Sequence, residues 1–241
     1  MRILQITDLH LSSVEDNNIN NITFLKLIEF IKIHKETLNI DMIVVTGDIS
    51  HHGEMDSYRF FYDEMEDLHY PYAVLHGNHD DKKNLNPQGF KLKNCFPIED
   101  LSNDQWGLAS VNTVIAGKDY GIVSDSEMIR LSKKLDKAIG KKIVLFMHHH
   151  PIAVGTPLVD SCNLFEAEIF LNLCQRYSVN FVGAGHAHTL CQQKLGQTLF
   201  AISPAVCSQW KNGTNEVKTI DASGFSIISL GEIIHTETYF I

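Results

Sequence analysis

Side chains of the kinds that bind metal ions recur along this chain directly after short apolar runs. Imidazole nitrogens, carboxylate oxygens and an amide oxygen together suit Mn²⁺, Fe or Zn²⁺ better than metals that seek thiolates. The residues are Asp8, His10, Asp48, Asn78, His148, His186 and His188. Singly each is a weak signal, because Gly-Asp is a common turn and a lone histidine is more often a core or surface residue. Together they predict one metal site built from five successive strand ends.

The segment FMHHHPIAVG contains three consecutive histidines that cannot all share one task, because neighbouring side chains point in different directions. His148 comes first after the apolar run, and we expect it to bind metal. His149 faces the opposite way and is expected to support the site. His150 shares the side of His148 and is a candidate for a substrate contact at the pocket rim. Pro151 disfavours helical geometry at His150, so the strand should end in a loop.

Two pairs of predicted ligands have a single residue between them, Asp8 with His10 and His186 with His188. In an extended segment, residues i and i+2 point the same way, so each pair could converge on one centre. Gly77 precedes Asn78, and we expect it to let the backbone turn sharply there.

Other polar residues near the predicted ligands have plainer explanations. His51 and His52 follow Asp48 closely and could reach a substrate, but an exposed turn with Gly53 is the plain explanation and the one we favour. Trp210 is expected in the core or at a pocket rim, with base stacking as the alternative.

Apolar periodicity predicts alternating strands and helices in the first part of the chain, hence an α/β fold, and an antiparallel tail. Strands are expected at 2–6, 41–46, 72–76, 143–147, 180–183, 198–202, 224–230 and 233–240. Helices are expected after Asn21, around Tyr58–Leu68, from a Ser124 cap to Gly140, and over 163–177. Residues 80–104 are polar and should contain little regular structure.

Composition narrows the classes of function. The 241 residues favour a single domain over 1–241, and the lack of an 18-residue apolar run argues against a membrane span. Five cysteines without paired spacing fit reduced thiols in a cytoplasmic protein. The net charge of −9 disfavours nucleic acid as a partner, although bound cations can still attract phosphate.

The order of motifs D-x-H, G-D, G-N-H-D, H and G-H-x-H resembles that of the calcineurin-like metallophosphoesterases over nearly the whole chain. Within that family the chain is most similar to the bacterial class III cyclic nucleotide phosphodiesterases. The segments that carry this closer similarity are RILQITDLH, VTGDISHHGEMDSYRFF, HHHPIAVG and SPAVCSQWKNG.

The resemblance implies a four-layer α-β-β-α sandwich, in which two mixed sheets flanked by helices hold a dinuclear metal site at the C-terminal ends of the strands. Asp8, His10 and His188 would hold the first metal ion, Asn78, His148 and His186 the second, and Asp48 would bridge them. Fe and Mn are the favoured ions, with Zn, Co and Mg as alternatives.

The resemblance also implies hydrolysis of 3′,5′-cyclic AMP to 5′-AMP by a hydroxide that bridges the two metal ions. His79 would contact the phosphate and protonate the leaving oxygen, with Asp80 either orienting it or capping the next turn. Asn78, His79 and His150 are the expected substrate contacts, and a homodimer is possible. The alternatives are another phosphodiester (a 2′,3′-cyclic nucleotide, a nucleotide sugar or a phospholipid head group) or a non-catalytic scaffold. The scaffold is disfavoured because every ligand and His79 are present.

Overall fold

Twelve strands form two five-stranded sheets and a two-stranded ribbon in the computed structural model, which describes residues 1–13, 18–216 and 218–241. The strands are β1 (Arg2–Ile6), β2 (Met42–Thr46), β3 (Tyr72–Leu75), β4 (Trp106–Val111), β5 (Lys142–Met147), β6 (Phe181–Ala184), β7 (Cys191–Leu195), β8 (Thr198–Ile202), β9 (Gln209–Trp210), β10 (Thr219–Ile220), β11 (Gly224–Ser229) and β12 (His235–Phe240). The helices are α1 (Ile19–Ile33), α2 (Lys35–Leu38), α3 (Met55–Asp67), α4 (Asp125–Lys137), α5 (Pro157–Asp160) and α6 (Ala167–Arg176). Over the described ranges, the helices lack the combination of length and apolar character that crossing a membrane requires.

Both sheets are mixed, and their parallel strands set the position of the loops. The first sheet has the order β12-β11-β1-β2-β3, with β1, β2 and β3 parallel and β11 and β12 antiparallel to their neighbours. The second has the order β4-β5-β6-β8-β7, with only β7 antiparallel. Parallel strands bring their C-terminal ends to one edge of a sheet, so the loops that carry the predicted ligands share an edge.

Three hydrophobic cores separate four layers. Ile3 and Val44 lie in the core between the sheets together with Phe146, whereas their neighbours Leu4 and Val45 lie in the core beneath α1 and α3. This alternation follows from the two-residue period of a strand. A third core lies between the second sheet and helices α4 and α6. The predicted α-β-β-α sandwich of two mixed sheets is therefore confirmed.

Four strands escaped the sequence prediction, the two-residue strands β9 and β10 and the longer strands β4 and β7. Hydrophobic pattern does not define β4 and β7. β4 has the sequence WGLASV, which is rich in small residues, and it is buried through its pairing with β5. β7 has the sequence CQQKL, and four of its five residues are exposed on an edge of the sheet. An exposed edge strand lacks the alternating apolar residues by which a strand is recognised in a sequence.

The second half departs from the prediction in two further places. Helix α6 begins at Ala167 rather than at 163, because Glu166 has a left-handed φ of 52° and the amides of Leu164 and Phe165 bond to other loops. The expected antiparallel tail is confirmed for β11 and β12, whereas β8 pairs antiparallel with β7 but parallel with β6. Residues 80–104 hold two short 3₁₀ helices, Pro87–Gly89 and Ile98–Leu101, in agreement with the weak pattern there.

The Asp80 carboxylate joins the loops that follow β2 and β3. Its Oδ1 accepts hydrogen bonds from the amides of Ile49 and Ser50, each at 3.0 Å, and from the Tyr58 hydroxyl at 3.0 Å. Its Oδ2 accepts from the Gly77 amide at 2.9 Å. A carboxylate that binds several backbone amides holds them at fixed positions, so Asp80 sets the register of two ligand-bearing loops against α3.

Replacement of Tyr58 by Phe should lower the free energy of unfolding by about 1–3 kcal/mol, because buried polar groups lose their partner. The Tyr58 hydroxyl donates to Asp80 and accepts from the Asp81 amide at 2.9 Å. Urea denaturation measures the change. Tyr177→Phe is the control, since its hydroxyl bonds to Asp136 at an exposed position, and its effect should stay within about 0.5 kcal/mol. An equal loss of unfolding free energy in the two variants would contradict the structural role assigned to the Tyr58–Asp80 hydrogen bond.

Candidate metal centre and active site

The loops after β1, β2, β3, β5 and β6 meet at one end of the facing sheets. The Asp8 amide donates to Gly47 O at 3.0 Å, and the Gly185 amide donates to His148 O at 3.0 Å. These bonds continue the sheets beyond their strands. Seven predicted ligands meet there through side-chain contacts: Asp8, His10, Asp48, Asn78, His148, His186 and His188.

Left-handed backbone conformations concentrate at these residues. The described part of the chain has nine non-glycine residues with positive φ, and five are predicted ligands. Their φ angles are 53° at Asp8, 47° at His10, 53° at Asp48, 68° at His186 and 45° at His188. Each such residue costs roughly 1–3 kcal/mol and persists where the surrounding structure enforces it. Asp8 and His10 both lie beside His188, as expected for a pair that converges on one centre, whereas His186 lies beside His148 and not with His188. Both pairs are on left-handed turns and not on the extended segments that we expected.

The first cluster brings acceptor atoms face to face. His188 Nδ1–H donates to Ser208 O at 3.0 Å, so its Nε2 carries a lone pair. That Nε2 lies 3.2 Å from His10 Nε2 and 3.4 Å from Asp8 Oδ1. Asp8 Oδ1 is buried and has no hydrogen-bond partner among the described residues. Such an arrangement repels itself unless a cation or a proton lies among the three atoms. Burial lowers the pKa of His188, but Cys207 and Asp8 outweigh it and raise that pKa well above its usual range, so without metal a proton takes this place.

The second cluster, formed by Asn78, His148 and His186, also brings acceptor atoms close together. His148 Nδ1–H donates to Thr46 O at 2.8 Å, which leaves Nε2 as the free ring nitrogen. This Nε2 lies 2.9 Å from Asn78 Oδ1 and 3.2 Å from His186 Nδ1. A backbone carbonyl that fixes the tautomer of a ligating histidine is the usual support for a metal site.

Asp48 lies between the two clusters. Its Oδ2 is 3.6 Å from His10 Nε2 and 3.4 Å from His148 Nε2, while its Oδ1 accepts a hydrogen bond from the His79 amide at 2.9 Å. One carboxylate oxygen is thus within reach of both clusters. Gly77 makes this close approach possible, because a Cβ at that position would overlap the Asp48 carboxylate. The expected turn is present, since the Asp80 amide donates to Gly77 O at 3.3 Å, but the φ of Gly77 is not positive, so space and not backbone freedom requires glycine there.

The electrostatics of the cluster fit cation binding. Burial lowers the pKa of His10 and of His186 to about 3, so both rings stay neutral and keep a lone pair. Burial acts in the same direction on His148, but the facing Asp48 outweighs it and raises the pKa of His148 to about 9. Burial alone would raise the pKa of Asp48, and His148 nevertheless holds it well below its usual range. Without metal, a proton on His148 occupies the place of a cation. Metal binding would release that proton.

A cavity of about 470 Å³ opens over both clusters. His10, Asp48 and Asn78 line it, and Leu158 and Val159 also line it and form its apolar wall. Trp210 also lines it, with its ring centroid 5.9 Å from that of His188, so the predicted rim position is the one observed. A polar floor beside an apolar wall, in a volume of roughly 300–1,000 Å³, suits a small organic ligand.

His79 is exposed in this cavity. Its Nδ1–H donates to His51 O at 3.0 Å, and its ring lies edge-on to His10 with centroids 4.7 Å apart. The group that orients the His79 ring is therefore the backbone carbonyl of His51. Asp80, which we considered for that role, uses both oxygens to hold the loops after β2 and β3.

His51 is the cavity residue that the sequence prediction undervalued. It lines the cavity, its Nδ1 lies 3.2 Å from His10 Nδ1, and burial lowers its pKa. His52 is exposed and is not part of the described cavity lining. The one signal in the sequence is that His51 lies three residues after Asp48 on a ligand-bearing loop, which does not distinguish it from His52.

The other two histidines of the tract lie behind the ligands. His149 is fully buried, with Nδ1 2.8 Å from Thr113 Oγ1 and a ring 4.5 Å from that of His186, in agreement with a supporting role. His150 is also fully buried, and its ring stacks on His186 at 5.8 Å. Its carbonyl accepts from the Leu164 amide, which turns the chain inward. The predicted rim position of His150 is therefore wrong.

Comparison with known proteins agrees with this geometry. The family model described as calcineurin-like phosphoesterase matches residues 1–190. A relative from Xenorhabdus bovienii, named a probable cyclic nucleotide phosphodiesterase, is 36% identical over 234 residues, which is 95% of each chain. The 3′,5′-cyclic adenosine monophosphate phosphodiesterase CpdA of Vibrio vulnificus is 27% identical over 88% of this chain and 78% of its own.

A further relative has a different named activity. The probable glycerophosphodiester phosphodiesterase GpdQ of Arcobacter nitrofigilis is 31% identical over 78% of this chain and 72% of its own. The sequence resemblance, the four-layer sandwich and the paired ligand clusters agree with one another and with the family model. The chain belongs to the calcineurin-like phosphoesterase family.

Proposed function

We propose that this protein is a metal-dependent phosphodiesterase that hydrolyses 3′,5′-cyclic AMP to 5′-AMP. The observation that carries the proposal is the position of Asp48 Oδ2, which lies 3.6 Å from His10 Nε2 and 3.4 Å from His148 Nε2. One oxygen shared by two donor clusters is suited to two cations. The names of the relatives from Xenorhabdus bovienii and Vibrio vulnificus support a cyclic nucleotide as substrate.

The ligand assignment follows from the clusters. Asp8, His10 and His188 would hold one cation, Asn78, His148 and His186 the other, and Asp48 would contact both. When bound, the cations would acidify a water molecule and neutralise charge on the phosphoryl oxygens. The nitrogen- and oxygen-only donor set favours Fe or Mn, and Zn, Co or Mg would also be accommodated.

His79 would supply the proton for the leaving oxygen. Because its Nδ1–H is held by His51 O, only Nε2 is available to a substrate. A protonated His79 carries its second proton on Nε2. When the bond between phosphorus and O3′ breaks, that proton would pass to O3′ and leave His79 neutral. The His79 amide, which donates to Asp48 Oδ1, keeps the residue close to the reacting phosphate.

The apolar wall favours a substrate with a bulky organic group on the phosphate. Leu158, Val159 and Trp210 line the same cavity as the predicted ligands, and a purine ring could pack on them. A phosphomonoester of a small alcohol would leave that wall uncovered. The relative from Arcobacter nitrofigilis makes a glycerophosphodiester the second candidate substrate.

Purified protein supplied with Mn²⁺ should hydrolyse bis-p-nitrophenyl phosphate, and a chelator should abolish the reaction until Mn²⁺ is restored. Mn²⁺ at about 100 times its dissociation constant should also stabilise the fold by about 2.7 kcal/mol for each cation bound, measured by thermal unfolding. The absence of hydrolysis with Mn, Fe, Zn, Co and Mg would rule out the enzyme.

A panel of substrates tests the substrate assignment. We expect kcat/KM to be highest for 3′,5′-cyclic AMP among cyclic AMP, cyclic GMP, 2′,3′-cyclic AMP, glycerophosphocholine and p-nitrophenyl phosphate. The physical reason is that the adenine would cover the apolar wall. A higher kcat/KM for glycerophosphocholine would replace the first candidate with the second.

Replacement of His79 by Ala should lower kcat by about 10²–10⁴, the usual contribution of a general acid, while metal content stays at the wild-type level. Steady-state kinetics and elemental analysis measure the two quantities. His235→Ala, an exposed histidine on β12, is the control and should change neither. A loss of bound metal in the His79 variant would show that the residue is a ligand instead.

A further inference from the structure

The Nδ1 atom of His10 has an unusual partner. His148 and His188 both donate Nδ1–H to backbone carbonyls, those of Thr46 and Ser208. His10 Nδ1 instead lies 3.2 Å from His51 Nδ1, which is an imidazole nitrogen. Metal-binding histidines normally direct this second N–H to a carboxylate, a carbonyl or water.

The direction of this hydrogen bond follows from the other ring nitrogen of His10. His10 Nε2 lies among the acceptor atoms of the first cluster, 3.2 Å from His188 Nε2 and 3.6 Å from Asp48 Oδ2. As a ligand, that nitrogen carries a lone pair, so the ring proton is on Nδ1. His10 Nδ1–H therefore donates to His51 Nδ1.

An accepting Nδ1 fixes the tautomer of His51. A neutral imidazole carries one proton, so the proton of His51 is on Nε2. The side chain is exposed and lines the cavity. Its ring also lies nearly parallel to that of His79, with centroids 5.3 Å apart and an interplanar angle of 20°. Two imidazole rings thus stand side by side at the cavity, beside His10.

We propose that His51 is a further catalytic residue, which donates its Nε2–H to a phosphoryl oxygen of the substrate while its Nδ1 holds His10 in place. The inference rests on the proposed phosphodiesterase function. A preorganised donor aimed at a phosphoryl oxygen stabilises the charge that develops there during hydrolysis. Because the backbone carbonyl of His51 also holds His79 Nδ1–H, this one residue would position two neighbours and contact the substrate.

Two substitutions separate the two roles of the His51 ring. The amide of Asn reaches about as far as Nδ1, and the amide of Gln about as far as Nε2. His51→Asn should therefore keep the affinity for Mn²⁺ near the wild-type value but lower kcat on the order of 10-fold and weaken binding of inorganic phosphate. His51→Gln should keep most of kcat at saturating Mn²⁺ and weaken Mn²⁺ binding on the order of 10-fold.

The control variant is His52→Ala, which removes the adjacent exposed histidine outside the described cavity lining. As for other surface substitutions, kcat, the affinity for Mn²⁺ and the affinity for inorganic phosphate should each stay within about twofold of the wild-type value. Calorimetric titration with Mn²⁺, and with inorganic phosphate in the Mn²⁺-loaded protein, supplies readouts independent of turnover. Wild-type affinities in both His51 variants, or a loss of Mn²⁺ affinity alone in both, would overturn the proposal. If wild-type protein hydrolyses no phosphodiester, the proposed function fails, and the two binding titrations still decide whether His51 holds His10 and contacts phosphate.

Discussion

Mutual repulsion between buried acceptor atoms is the constraint on which the rest of this structure depends. His10 Nε2 and His188 Nε2 face each other at 3.2 Å, and Asp48 Oδ2 lies between the two donor clusters. Without a cation, protons must separate these atoms, as the raised pKa of His148 indicates. This arrangement is unfavourable, and so are the left-handed φ angles of five predicted ligands. Both persist because the surrounding fold is rigid enough to impose them.

That rigidity comes from the two sheets and from the bonds that extend them past their last residues. The strands that carry ligands are buried on both faces, so their ends cannot shift independently of the three cores. Beyond the strands, the Asp8 amide bonds to Gly47 O, and Asp80 binds the loops after β2 and β3 together. Close packing of Gly77 on Asp48 holds in place the carboxylate that lies between the two clusters.

The parts that the sequence predicts are those where chemistry leaves few alternatives. Buried parallel strands need continuous apolar runs, and metal sites need imidazole and carboxylate groups, so β1, β2, β5 and the order of ligands were readable from the sequence. Strands β4 and β7 were not, because pairing with a neighbour defines them more than their own pattern does. His51 and the apolar wall at Leu158 escaped prediction because tertiary contacts alone bring them to the cavity.

The three consecutive histidines show how burial divides similar side chains among different tasks. His148, His149 and His150 are at most 1% exposed, and they close the second cluster from behind. The first cluster instead opens towards His51 and His79, which are both exposed and line the cavity. Asn78 and His186 of the second cluster line the same cavity, so both clusters face one opening. Within the tract after β5, His148 is the predicted ligand in the second cluster, and His149 and His150 support it by packing against His186.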